Sequence, residues 1–86
     1  MRSSDQARNL LNEHHEWPTV FAFKFIVPAA RAEELHVLLP EAVKTETRPS
    51  AGGKYHAFTF HVPVGSADEV LGIYARVKGI EGCIAL

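Results

Sequence analysis

Residues 45–64 read TETRPSAGGKYHAFTFHVPV, and the order of residue types in this stretch decides the fold. A polar run from Thr45 to Arg48 meets Pro49-Ser50-Ala51-Gly52-Gly53, then Lys54, then a strand of alternating character. Phe58 and Phe60 fall on one side of that strand, and Ala57, Thr59 and His61 on the other. Glycine, proline and serine supply the backbone angles and local hydrogen bonds of a tight reversal, so the stretch predicts a β-hairpin. Its incoming arm, Ala42 to Arg48, is polar and ends on a proline, as sheet edges do. Its outgoing arm, Lys54 to Val64, is apolar enough to be central.

The same reading extends in both directions. Thr19–Val27, TVFAFKFIV, alternates with period two and predicts a second central strand, stopped by Pro28. Ala29–Leu39 carries a stripe of Ala32, Leu35 and Leu39, widened by Leu38. Glu33 and Glu34 lie in its early turns, and Pro40 ends it. Beyond the hairpin, Ser66 and Glu69 form a capping box for a helix with Val70, Ile73, Tyr74 and Val77 on its inner face. Arg76 and Lys78 close that helix, Gly79 fits its C′ position, and Ile80–Leu86 predicts a short last strand. At the other end, Ser3–His15 predicts a helix capped by Ser3 and Gln6, with Ala7, Leu10, Leu11 and His14 on one stripe. Trp17-Pro18 stops it. Residues 1–18 therefore form a helical segment that docks or frays, and residues 19–86 form the domain.

The order β-α-β-β-α-β predicts an α+β ferredoxin-like sandwich: a four-stranded antiparallel sheet of order 4-1-3-2 with two helices on one face. Parity then assigns the faces. The chain has five phenylalanines, at 21, 23 and 25 on one strand and 58 and 60 on another, and each set shares one face. Burying each is worth roughly 1.5–3 kcal/mol, so all five are expected under the helices. The open face is left with Ala22, Lys24, Ile26, Tyr55, Ala57, Thr59 and His61.

Composition bounds the rest. The chain has 86 residues, 47% hydrophobic and 22% charged, with a net charge of −1 and one cysteine. That describes one domain, too small to bury much surface and helped by oligomerisation. The charge balance argues against nucleic acid, and the lone Cys83 excludes an intrachain disulfide or a cysteine-based metal site. With no apolar run of spanning length and no signal-peptide core in MRSSDQARNLLNEHHEW, a cytoplasmic protein without a membrane partner is expected.

Trp17, Pro18, Phe21 and Lys24, followed by Pro49, Ser50, Gly53, Tyr55 and His56, resemble the two motifs of the YbeD-like family. The resemblance runs from about residue 11 to residue 86. It implies a small bacterial domain of unknown function, with a fold akin to amino-acid-binding ACT regulatory domains and no established activity.

The polar residues suggest chemistry only in part. Arg48, Ser50, Gly52, Gly53 and Lys54, with Tyr55 and His56, bring cations, a hydroxyl, an imidazole and flexible amides to one loop, an arrangement able to bind an anion. The same Pro-Ser-Ala-Gly-Gly run is also ordinary turn chemistry. Tyr55 and His56 fall on opposite faces, and His56 reads as a hydrogen-bonded histidine at the core edge. His14 and His15 diverge by about 100° on a helix, and His56 and His61 lie on opposite faces, so no histidine pair has ligand spacing. An RNA-recognition reading would need Phe58 exposed, which would ruin the core. Acylphosphatase chemistry would find an arginine at Arg31 but no asparagine on the sheet, since Asn9 and Asn12 lie in the first helix. No nucleophile–base pair stands out, and Cys83 reads as a buried, inert thiol. The expectation is therefore a non-enzymatic regulatory or adaptor domain without cofactor or metal, pairing with itself or a partner protein. The alternative is a sensor of a small metabolite or anion at the 48–56 loop.

Overall fold

The computed structural model describes residues 2–50 and 52–86, with side chains from residue 5 onward. Helix α1 spans Arg2–His14 and strand β1 Thr19–Pro28. A 3-10 turn at Ala29–Arg31 leads into α2, Ala32–Leu38. Strands β2, Lys44–Pro49, and β3, Tyr55–Val64, form the hairpin; α3, Ala67–Val77, and β4, Ile84–Ala85, follow. The sheet is antiparallel throughout, in the order β2-β3-β1-β4, which is the expected order read from the other edge.

Register explains the packing. Phe23 lies opposite Phe60, Phe25 opposite Phe58, and Phe21 opposite Val62, so the rings share one face. Phe23, Phe25, Phe58 and Phe60 are buried with Val27, Val62 and Val64, and α3 adds Val70, Ile73 and Val77. Tyr74 of α3 meets Phe23 edge-on at 5.2 Å between ring centroids. Phe21 is half-buried at the margin, its ring 5.2 Å from that of His15. All five phenylalanines thus lie on the helix-covered face, with Phe21 the outermost.

Local chemistry shapes the ends. The Ser66 hydroxyl accepts from the Glu69 amide at 3.2 Å, capping α3. The Glu69 carboxylate reaches back one residue further than a standard capping box, accepting from the Gly65 amide at 2.8 Å. Helix α1 docks: Arg8 donates to Asp68 on α3 at 2.7 Å, and Leu11 packs against the core. The expected inward stripe is corrected, because Leu10 and His14 are exposed. The Arg8–Asp68 bond and the His15–Phe21 contact turn the Ala7, Arg8, Leu11 and His15 side inward instead. The Ser3 half of the N-terminal capping box falls on a side chain outside those described.

Two elements are shorter than their sequence suggests. The helix expected over Ala29–Leu39 is regular only from Ala32 to Leu38. Arg31 leaves the helical region at φ −109° and ψ 5°, with its guanidinium on Glu34, and Leu39 is drawn out at φ −123° into the core. The last strand is two residues rather than Ile80–Leu86. Ile80 is buried as a core residue, and the Cys83 amide bonds back to its carbonyl at 3.2 Å, which makes a turn where a strand was expected. Gly79 follows the C-cap Lys78, yet the left-handed glycine of this stretch is Gly82, at φ 81° against Pro28.

Candidate functional site

The hairpin turn is closed by its own polar groups. The Gly53 amide donates to the Ser50 carbonyl at 3.0 Å, and Gly53 takes φ 72°, which glycine accepts without strain. The Ser50 amide donates to the Tyr55 carbonyl at 2.9 Å, and the Tyr55 amide donates to the Ser50 hydroxyl at 3.2 Å. The Lys54 carbonyl accepts from Ala29 at 2.8 Å, tying the turn to the end of β1. Ala51 lies outside the described residues.

The loop residues do not converge. Arg48 pairs with Ala57, so its side chain stands on the open sheet face. Tyr55 is on that face too, at the far end of β3 opposite Pro28. His56 stands on the helix-covered side opposite Val27, its ring 6.1 Å from that of Phe58. Among the described residues no group hydrogen-bonds its side chain, which corrects the expectation of a bonded core-edge histidine: its nearest neighbours on that face, Val27 and the Phe58 ring, offer no polar partner, and the side chain is only partly buried. Ser50 and Gly53 are engaged in the turn; Gly52 and Lys54 are exposed on it.

What the structure does bring together is Arg48 with Lys24. Across the open face one row of the sheet reads Glu46, Thr59, Lys24, and the next reads Arg48, Ala57, Ile26. Alanine and threonine on β3 stand between long side chains on both neighbours, leaving a concavity of about 460 Å³ that also touches Leu86. Glu46 lines it too, with its carboxylate 3.5 Å from Lys44 and 3.4 Å from His61. The hydrogen bond from His61, then the charge of Lys44, hold that carboxyl below its ordinary value of 4.5. Among the described residues, neither Lys24 nor Arg48 has an ion-pair partner. The alternation in the sequence puts Lys24, Ala57 and Thr59 on the open face, but it groups Arg48 only with its chain neighbours. The pairing register was the signal needed.

Arg31 is engaged at the start of α2. It binds Glu34 with two nitrogens, one at 3.1 Å, and lies 3.7 Å from Glu81. Burial pushes the Cys83 thiol above its ordinary value. No three metal-ligating side chains gather among the described residues, and no described helix is long and apolar enough to cross a membrane.

A second feature lies at the β4 side of the sheet. Leu86 donates to the Lys24 carbonyl at 2.9 Å, so even-numbered residues of β1 direct their backbone groups away from β3. Strand β4 meets β1 only at Phe25 and Ile26. The N–H and C=O groups of Val20 and Ala22 consequently face outward with no strand beside them among the described residues. Val20, Ile84 and Leu86 form an exposed apolar border along this edge.

These features define a small α+β domain whose sheet is covered on one face and exposed on the other. The sequence model of a family described as "Protein of unknown function (DUF493)" matches residues 12–85. The chain belongs to that family, the YbeD family to which its two motifs pointed. No curated protein and no solved structure matches the chain.

Proposed function

We propose that this chain is a non-catalytic, ferredoxin-like domain of the ACT-like kind that acts by association, first of all with a second copy of itself, through the open edge of β1. The outward backbone groups of Val20 and Ala22 carry this reading. An antiparallel pairing of two β1 edges about a two-fold axis at Phe21 sets Val20 of each copy opposite Ala22 of the other. Those are the positions whose N–H and C=O groups are free, so the two sheets join into one of eight strands. The five vacant positions, Thr19 to Phe23, end where β4 begins, so β4 does not obstruct the added strand. Val20, Ile84 and Leu86 supply apolar cover beside it. A partner protein with an extended segment would use the same edge by β-augmentation.

The test is light scattering across a concentration series, for the parent chain and for Ala22→Pro. Proline removes one outward N–H and leaves the β1–β3 ladder intact, because Ala22 does not bond to β3. The parent is expected to shift towards twice the monomer mass, and the proline variant to stay monomeric with an unchanged far-UV spectrum. A parent that remains monomeric at millimolar concentration removes self-association.

A further inference from the structure

We infer that the concavity over Ala57 and Thr59 binds a small organic dianion, one carboxylate held by Arg48 and the other by Lys24. The two cations rise from opposite walls. Arg48 is on β2 and Lys24 on β1, with β3 between them and a two-residue offset along the strands. Ordinary strand spacings put their Cα atoms roughly 12 Å apart, so their side chains lean over the floor from two sides. A single compact anion meets one of them well, whereas two carboxylates on a short carbon chain meet both. Arginine suits the planar, two-oxygen geometry of a carboxylate, and lysine acts as a point charge.

The floor fits the middle of such a molecule. Ala57 offers a methyl group and Thr59 a hydroxyl, and Leu86 adds apolar surface at the rim. The volume, about 460 Å³, takes a metabolite of this size. The one carboxylate in the wall, Glu46, is already engaged by Lys44 and His61. Both cations are left to an incoming ligand. Pairing along the β1 edge leaves this face open, so the site stands whether or not the chain self-associates.

The experiment is a titration of the ¹⁵N-labelled chain with succinate and glutarate, against acetate and inorganic phosphate, followed by amide NMR at a concentration where one oligomeric species is present. Saturable shifts are expected at Ala57, Thr59 and Leu86 with the dicarboxylates, and affinities about tenfold weaker or worse for acetate and phosphate. Arg48→Ala and Lys24→Ala, both on the exposed face, should each weaken dicarboxylate binding by about tenfold or more. Lys54→Ala should leave it unchanged. Ala57→Phe should abolish it with the charges intact, and its amide spectrum reports whether the variant is folded. The proposal is overturned by an absence of saturable shifts, by shifts confined to the 50–55 turn, by phosphate binding as tightly as succinate, or by dicarboxylate binding that survives Arg48→Ala.

Discussion

Replacing Gly82 by alanine tests the account of how β4 is placed. Gly82 sits at φ 81°, and a Cβ built there lies 2.9 Å from Cγ of Pro28 and 3.3 Å from Cδ. Holding a non-glycine residue in the left-handed region costs roughly 1–2 kcal/mol. The forced contact against a ring fixed at the end of β1 adds about 1–2 kcal/mol, as overpacking does. The expected loss is therefore about 2–4 kcal/mol, a large part of the roughly 4–13 kcal/mol available to a domain of this length. Urea denaturation followed by circular dichroism measures it, and a cycle with Pro28→Ala separates the two terms. Removing the ring relieves the contact and leaves the backbone cost, so the double variant should be more stable than additivity predicts by about 1–2 kcal/mol. A loss below about 0.5 kcal/mol for Gly82→Ala, or strict additivity with Pro28→Ala, would refute the reasoning.

Other substitutions probe the core and the caps. Phe60→Ala should cost about 3–5 kcal/mol in the same assay, because its ring is only 1% exposed and contacts both Phe25 and Phe58. Ser66→Ala should cost about 1 kcal/mol by freeing the Glu69 amide, and a loss under a few tenths would deny the cap its role. Glu34, Glu41 and Glu46 are all held below their ordinary value of 4.5, Glu34 first by Arg31, Glu41 first by its own backbone amide and then by Arg76, and Glu46 first by His61. A carboxyl that binds its proton less tightly when folded stabilises the fold above its unfolded pKa. That contribution disappears as pH falls through the lower, folded value, so urea midpoints should be flat above pH 4.5 from this source and decline below it. Cys83, half-buried with its thiol pushed up, should react with a thiol reagent more slowly than a free cysteine at the same pH, and equal rates would contradict its environment.

The alternation of Phe21, Phe23 and Phe25, and of Phe58 and Phe60, is a local property that survives folding unchanged. That is why the strand order, the covered face and the central strands were legible in the sequence. The ends of α2 and β4 were not. Leu39 and Ile80 look like continuations of helix and strand, but the core takes both side chains and bends the backbone to reach them. The spread of the loop residues has a similar cause. Arg48, Lys54, Tyr55 and His56 are near in sequence, yet the pleat and the turn send them to different places. Arg48 and Lys24 are 24 positions apart in the chain and share a site through two ladders whose offsets depend on the turn length. The outward half of β1 was hidden as well, since it exists only because β4 is so short.

Strand β1 is internal by sheet order and peripheral along its first half, and this gives its amides two tempos of hydrogen exchange. Those of Phe21 and Phe23 bond to β3 and open only with the sheet. Those of Val20 and Ala22 face the outside and exchange with the solvent while everything around them stays folded. A fast–slow alternation over four consecutive residues is thus written into the native state. Any strand that docks there, from a copy or from another protein, slows the fast pair and leaves the slow pair as it was. The backbone of β1 is its own occupancy gauge, readable without a label or a substitution.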